Sequence, residues 1–206
     1  MKKTFRDGWI FTYPNGVQFN LMEPQKEMIW LDDVCHSLAT MNRYAGHTKR
    51  PYSVAEHLCR CCDRATENFN EEVQLEVLLH DFPEYVYQDI MSPTKMLLGA
   101  DYKKKEDKLQ KLINEIVLGY PDFKYPEVVH IIDIRMLYTE CRDLTLHENW
   151  WEEHLTYEER IPLQEYSWQL WRDRLKRYIK NRLGTIASAK LPWSRTEWLR
   201  SQNSQD

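Results

Sequence analysis

The stretch EVLLHDFPEY, residues 76–85, places adjacent polar residues, His80 and Asp81, at the end of an apolar helical run, and Pro83 follows where that helix is expected to stop. The run begins upstream at NEEVQLEVLL, where Asn70 is a cap and Glu71 and Glu72 occupy the first turn, which the helix dipole favours for acids. Val73, Val77 and His80 then fall along one face. A histidine and an acid carried inward with a core stripe are costly to bury without partners. The rest of the chain is therefore read for groups that satisfy them.

Helical periodicity dominates from about residue 28 onward. In WLDDVCHSLATMNRY, Leu31, Val34, Leu38 and Met41 recur with helical spacing and Asp32 or Asp33 is the expected cap. Ser53 and Glu56 form an S-x-x-E capping box that starts a helix just before His57. Downstream, DYKKKEDKLQKLINEIVLG has an apolar face of Leu109, Leu112, Ile113, Ile116 and Val117 and a stop at Gly119. Pro126 opens a further helix whose buried stripe is Val129, Ile132, Met136 and Leu137; Asp133 sits on that stripe, a second acid on an apolar face. A last helix is expected from LQEYSWQLWRD onward. Before residue 28, Val17, Phe19 and Leu21 alternate with polar residues after Asn15-Gly16, which predicts a small hairpin within 9–21. The expectation is an all-α fold of five to seven helices with an N-terminal β-hairpin. One domain spans 1–206, with its core at about 28–145 and a C-terminal helix and tail at 160–206.

Composition narrows the function classes. With 42% hydrophobic and 13% aromatic residues the chain is not of a disordered type, and a net charge of −4 provides no basic field for a nucleic-acid polymer. No run approaches the roughly 20 apolar residues of a membrane span, and MKKTFRDGWIF lacks an apolar signal region, so a soluble, cytoplasmic protein with no membrane partner is expected. Of five cysteines, Cys59, Cys61 and Cys62 crowd one helical segment without a second ligand pair, and read as reduced, packed thiols. Eight tryptophans, with Trp150, Trp151, Trp168, Trp171, Trp193 and Trp198 in the last third, predict a homo-oligomer, since aromatics are enriched at interfaces.

His57, His80, Asp81 and Asp133 share one property: each lies on or at the end of a helix among apolar neighbours. One divalent cation satisfies all four. Two imidazoles and two carboxylates suit Zn²⁺, Mn²⁺ or Co²⁺, with Mg²⁺ a further candidate. Between Asp81 and Asp133 only His130 offers another imidazole, so a single-ion site is expected.

The order AEH (His57), LLHD (His80, Asp81) and IIDIRML (Asp133) resembles the H…HD…D metal set of the HD-domain phosphohydrolase superfamily. Within it, the chain is similar to the small 5′-deoxynucleotidases and to phage dATP triphosphohydrolases. The resemblance spans roughly 28–145. HDFPE carries the acid Glu84 of H-D-x-x-E; QDIMSPTK matches G-D-[LI]-P-[ST]-P-x-K with Asp89, Pro93 and Lys95; Asn42, Arg43 and Tyr44 stand where the deoxynucleotidases have Asn-Arg and an aromatic. Gln88 replaces the family's glycine, Tyr44 its frequent tryptophan, and a Gly-His-Thr element with His47 is of the phage type. The resemblance implies a metal-dependent hydrolase that attacks the α-phosphate of a small-molecule 5′-deoxynucleotide and releases the deoxynucleoside. It leans to dATP triphosphohydrolysis, with hydrolysis of deoxynucleoside monophosphates as the alternative and a non-catalytic nucleotide-binding module as the reading from another class. Glu84 would accept or relay a proton, and Asp89 would orient water or protonate the leaving oxygen. Arg43 and Lys95 would neutralise phosphate, Tyr44 would lie against the sugar, and His47 would touch substrate or support the ligands.

Overall fold

The computed structural model describes residues 5–146 and 153–183. Two short antiparallel strands, β1 (Trp9–Phe11) and β2 (Gln18–Asn20), pair Ile10 with Phe19. The alternation expected of this segment sends Phe19 fully into the core. The loop between them is pinned from below. Buried Asp33 accepts from Thr12 Oγ1 at 2.5 Å and from the backbone and side-chain nitrogens of Asn15 at 2.9 and 2.8 Å.

Among the described residues eight α-helical segments follow: α1 (Leu31–Thr40), α2 (Val54–Asn68), α3 (Glu71–Leu79), α4 (Glu84–Tyr87), α5 (Ser92–Leu98), α6 (Ala100–Val117), α7 (Pro126–Leu144) and α8 (Trp168–Leu183). The all-α expectation with an N-terminal hairpin holds. With the single turn α4 set aside, seven helices remain, within the five to seven expected; the stretch expected to be irregular after Pro83 forms that turn and the short, largely exposed α5.

Several boundaries differ from the sequence reading. The cap of α1 is Trp30, without a side-chain bond, because Asp33 is taken by the hairpin loop and Asp32 by Lys176. Helix α3 ends at Leu79, before Pro83, which instead precedes α4. Helix α8 starts at Trp168 rather than in the Leu163 region. Leu137 is half-buried, with the stripe of α7 carried by Val129, Ile132 and Met136. Trp150, Trp151, Trp193 and Trp198 lie outside the described residues; Trp171 is buried and Trp168 is at the surface.

Helix α2 is central, contacting α1, α3, α7 and α8. Ser53 Oγ caps it by accepting from Glu56 N at 3.1 Å. The Glu56 carboxylate does not complete the box; it receives both arms of Arg50 at 2.7 and 2.9 Å and is also paired with Arg60. Cys59, Cys61, Cys62 and Ala65 are fully buried on α2, small side chains that let four neighbours approach one helix. Two apolar clusters meet there. One joins Leu58, Leu75 and Leu79 to α1, α6 and α8; the other joins Cys61, Val73 and Val77 to Val129, Ile132 and Met136 of α7. No described helix is long and apolar enough to cross a membrane.

Candidate metal centre

His57 lies in the first turn of α2, fixed there by the Ser53 cap, and is fully buried. His80 and Asp81 follow the last residue of α3, whose start is set by Asn70 Oδ1 accepting from Val73 N at 3.1 Å. Asp133 comes from α7, and α3 helps to place that helix too. Buried Glu76 accepts from the backbone nitrogens of Lys124 and Tyr125, both at 2.9 Å, just ahead of Pro126.

The structure brings these four side chains together. Nε2 of His57 is 3.3 Å from Nε2 of His80, 3.6 Å from Asp81 Oδ2 and 3.2 Å from Asp133 Oδ1. Nε2 of His80 is 3.3 and 3.6 Å from the same two oxygens. Ligand atoms about 2.1 Å from a shared ion and near a right or tetrahedral angle lie roughly 3.0–3.4 Å apart. His57, His80 and Asp81 are thus a group able to hold a metal ion, with Asp133 close against both imidazoles. Both rings also have their far nitrogen occupied. His80 Nδ1 donates to Val77 O at 2.7 Å and His57 Nδ1 meets Glu140 Oε1 at 2.6 Å, which turns both Nε2 atoms toward the shared centre.

The electrostatics favour positive charge there. Burial opposes a proton on either imidazole, and Arg43 opposes one on His57, yet Cys61, Glu140 and Asp133 around His57, and Asp81 and Asp133 around His80, hold both rings well above the usual histidine range. Burial would also raise Asp81, but His80 keeps it well below the usual carboxylate range. A divalent cation provides the same positive charge as two imidazolium protons, so the donor set fits such an ion.

Glu140 was not anticipated from sequence. It is 0% exposed, and its two oxygens receive four donors: His57 Nδ1, Tyr52 OH at 2.9 Å, Tyr44 OH at 2.7 Å and Arg43 Nε at 3.3 Å. Burial raises its carboxyl, but Arg43 and His57 bring it down to about 2. The available signal was its place two helical turns beyond Asp133, the i+7 position of the same face.

The other expected site residues take several positions. Arg43 Nη1 donates to Asp81 Oδ2 at 3.2 Å, so its guanidinium already bridges a candidate ligand and Glu140. Tyr44 and Ala45 stand in left-handed backbone at φ 58° and 51°, a turn that presses the Tyr44 hydroxyl onto Glu140. His47 is exposed beyond that turn. Glu84 is buried in α4 with Oε2 lacking a hydrogen-bond partner. Burial, then Asp81 and Asp89, push its carboxyl well above the ordinary range. Lys95 Nζ is 3.8 Å from Glu84 Oε1 and closer, 2.8 Å, to Glu106. Asp89 is half-buried near Arg43, and burial raises its carboxyl against that arginine. Gln88 adopts φ 72° and ψ 154°, so the backbone keeps a glycine-like conformation without a glycine.

A cleft of about 130 Å³ opens beside the cluster, lined by His80, Asp81, Glu84, Lys95, Glu106 and Gln110 among others. A larger cavity of about 550 Å³ includes none of the clustered residues. Its cations are already paired, mostly within its own wall: Arg64 with Glu67 and Glu159, and Arg135 with Leu155 O and the Tyr157 ring.

No protein-family model matches the chain. Over 134 residues it is 37% identical to the uncharacterized protein YfdR of Escherichia coli K12, a match covering 65% of this chain and 71% of that protein. Over 105 residues it is 34% identical to the uncharacterized protein RCAP_rcc00048 of Rhodobacter capsulatus, covering 48% of this chain and 54% of the relative.

Proposed function

We propose that this chain, which belongs to the family of the Escherichia coli protein YfdR, is an HD-type, divalent-metal-dependent phosphohydrolase acting at the α-phosphate of 5′-deoxynucleotides. The observation that carries this reading is the convergence of His57 from α2, His80 and Asp81 from just past the end of α3, and Asp133 from α7, within 3.2–3.6 Å of one another across the imidazole nitrogens, beside a cleft that holds Glu84. The ion is Zn²⁺, Mn²⁺ or Co²⁺ on the nature of the donors, with Mg²⁺ also accommodated. When bound, it supplies a Lewis acid for a phosphoryl oxygen and for the attacking water.

The remaining work falls to the chain's own residues. Glu84, buried with Oε2 free and its carboxyl raised by burial and by Asp81 and Asp89, is suited to relaying a proton as the bond to the 5′-oxygen breaks. Asp89 stands near enough to Arg43 and Asp81 to feel both charges and orients the water. Lys95 and Arg43 face the phosphates, and each must share its charge with a carboxylate already bound, Glu106 or Glu140. The Tyr44 ring lies against the sugar, with His47 at the rim of the same turn. The preferred substrate is a deoxynucleoside triphosphate, dATP foremost, from the likeness of the Gly46-His47-Thr48 element to phage enzymes; deoxynucleoside monophosphates are the alternative.

Incubating metal-replete protein with each dNMP, dNTP and rNTP, and separating products by chromatography, tests the reading. Deoxynucleoside plus triphosphate supports the first substrate, and deoxynucleoside plus phosphate the second. No turnover with any of them leaves a nucleotide-binding module. Asp133→Asn should lower ion occupancy and turnover together; a variant that keeps both removes Asp133 from the site.

A further inference from the structure

We infer that Glu140 is the positioning carboxylate of the metal centre: it fixes the His57 ring so that Nε2 faces the ion, and through Arg43 it extends that alignment to Asp81. The inference deepens the metal reading above and rests on it. A carboxylate offers about four acceptor positions. Those of Glu140 meet His57 Nδ1 and Tyr52 OH on one oxygen, and Tyr44 OH and Arg43 Nε on the other. With that many donors converging, Glu140 acts as an acceptor, so the proton of the contact lies on His57 Nδ1 and Nε2 is the nitrogen left to bind the ion.

The two histidines show why a side chain is needed at one and not the other. His80 follows the last residue of α3, where a backbone carbonyl, that of Val77, is within 2.7 Å of its Nδ1. His57 lies inside α2, where the carbonyls of the preceding turn are committed to the helix. Its Nδ1 must be met from another element. Helix α7 provides that group on the face that carries Asp133, so one helix contributes both a ligand and the group that aims a second ligand. Arg43 donates to Glu140 and to Asp81 Oδ2, which ties a third ligand to the same carboxylate.

The test is read without any nucleotide. Chelator-stripped protein is titrated with Zn²⁺ and Mn²⁺, and Glu140→Gln, which keeps the shape and removes the charge, should bind them 10–100-fold more weakly. In ¹⁵N-histidine-labelled wild-type protein loaded with Zn²⁺, long-range ¹H–¹⁵N spectra should show His57 protonated at Nδ1 and coordinated through Nε2. Affinity of Glu140→Gln within twofold of wild type, even with a lowered melting temperature, reduces Glu140 to a packing role. His57 coordinated through Nδ1 overturns the inference whether or not the variant folds. A wild-type chain that takes up neither ion removes the metal reading itself, whereas uptake unchanged by Glu140→Gln removes only this inference.

Discussion

Glu84 and Gln88 stand four residues apart and differ in what holds them. Glu84 is buried with one oxygen unpartnered, a cost that a purely structural acid would avoid by turning to solvent. Glu84→Gln should leave ion binding intact and lower turnover by about 10²–10⁴-fold, as expected for loss of proton transfer; calorimetric ion titration beside initial rates checks this, and a near-normal rate would return Glu84 to a packing role. Gln88 carries backbone strain of order 1–3 kcal/mol at φ 72° and ψ 154°. Glycine removes that strain and adds roughly 0.4–1 kcal/mol of unfolded-state freedom, so Gln88→Gly should stabilise the chain by about 1 kcal/mol. The urea midpoint should rise with an unchanged slope. A fall would mean that neighbouring contacts of Gln88 outweigh the strain. The resemblance to a glycine motif marked this position in the sequence; that the conformation persists with a side chain present was visible only in the dihedrals.

Helices are placed here by acids at their ends as much as by apolar stripes. Glu76 holds the chain entering α7, and Asp143, near the exit of α7, binds Arg142 through both oxygens at 2.8 and 2.9 Å, Arg160 at 2.7 Å and the Ile161 amide at 2.8 Å. Burial raises the Asp143 carboxyl, but Arg142 and then the Ile161 amide keep it below its ordinary value. Its folded pKa is therefore depressed, so its stabilisation is present above about pH 4, the ordinary carboxylate value, and is lost as pH falls from there through the folded pKa. Asp143→Asn should cost about 2 kcal/mol near neutrality. The difference from wild type should shrink below pH 4 in denaturant titrations run at several pH values. A difference that stays constant with pH would show that shape and not charge holds this end of α7. Caps such as Ser53 and Asn70 were legible beforehand because their partners lie three residues away; Asp33 was misread as a cap because its partners come from a loop 18 and 21 residues distant.

At the scale of the whole molecule, the candidate ligands come from α2, the end of α3 and α7, so an ion that binds them ties those elements together in the folded state alone. Added Zn²⁺ or Mn²⁺ should raise the unfolding free energy by about 2.7 kcal/mol at 100 times the dissociation constant, a gain reversed by chelator. Differential scanning calorimetry of wild type and His80→Ala reads this; an equal gain in both proteins would place the ion elsewhere. What the sequence by itself determined is the helical architecture, the hairpin and the four polar positions on or at the ends of helices, because periodicity and capping act over one or two turns. What only the tertiary structure decided is the allocation of hydrogen bonds: Glu140 against His57, Tyr44, Tyr52 and Arg43, partners 83–97 residues away, and Arg43 drawn onto Asp81. That allocation is a competition among donors for a few buried acceptors. Its outcome depends on which side chains folding brings within about 3 Å of each other, a distance that spacing along the chain does not encode.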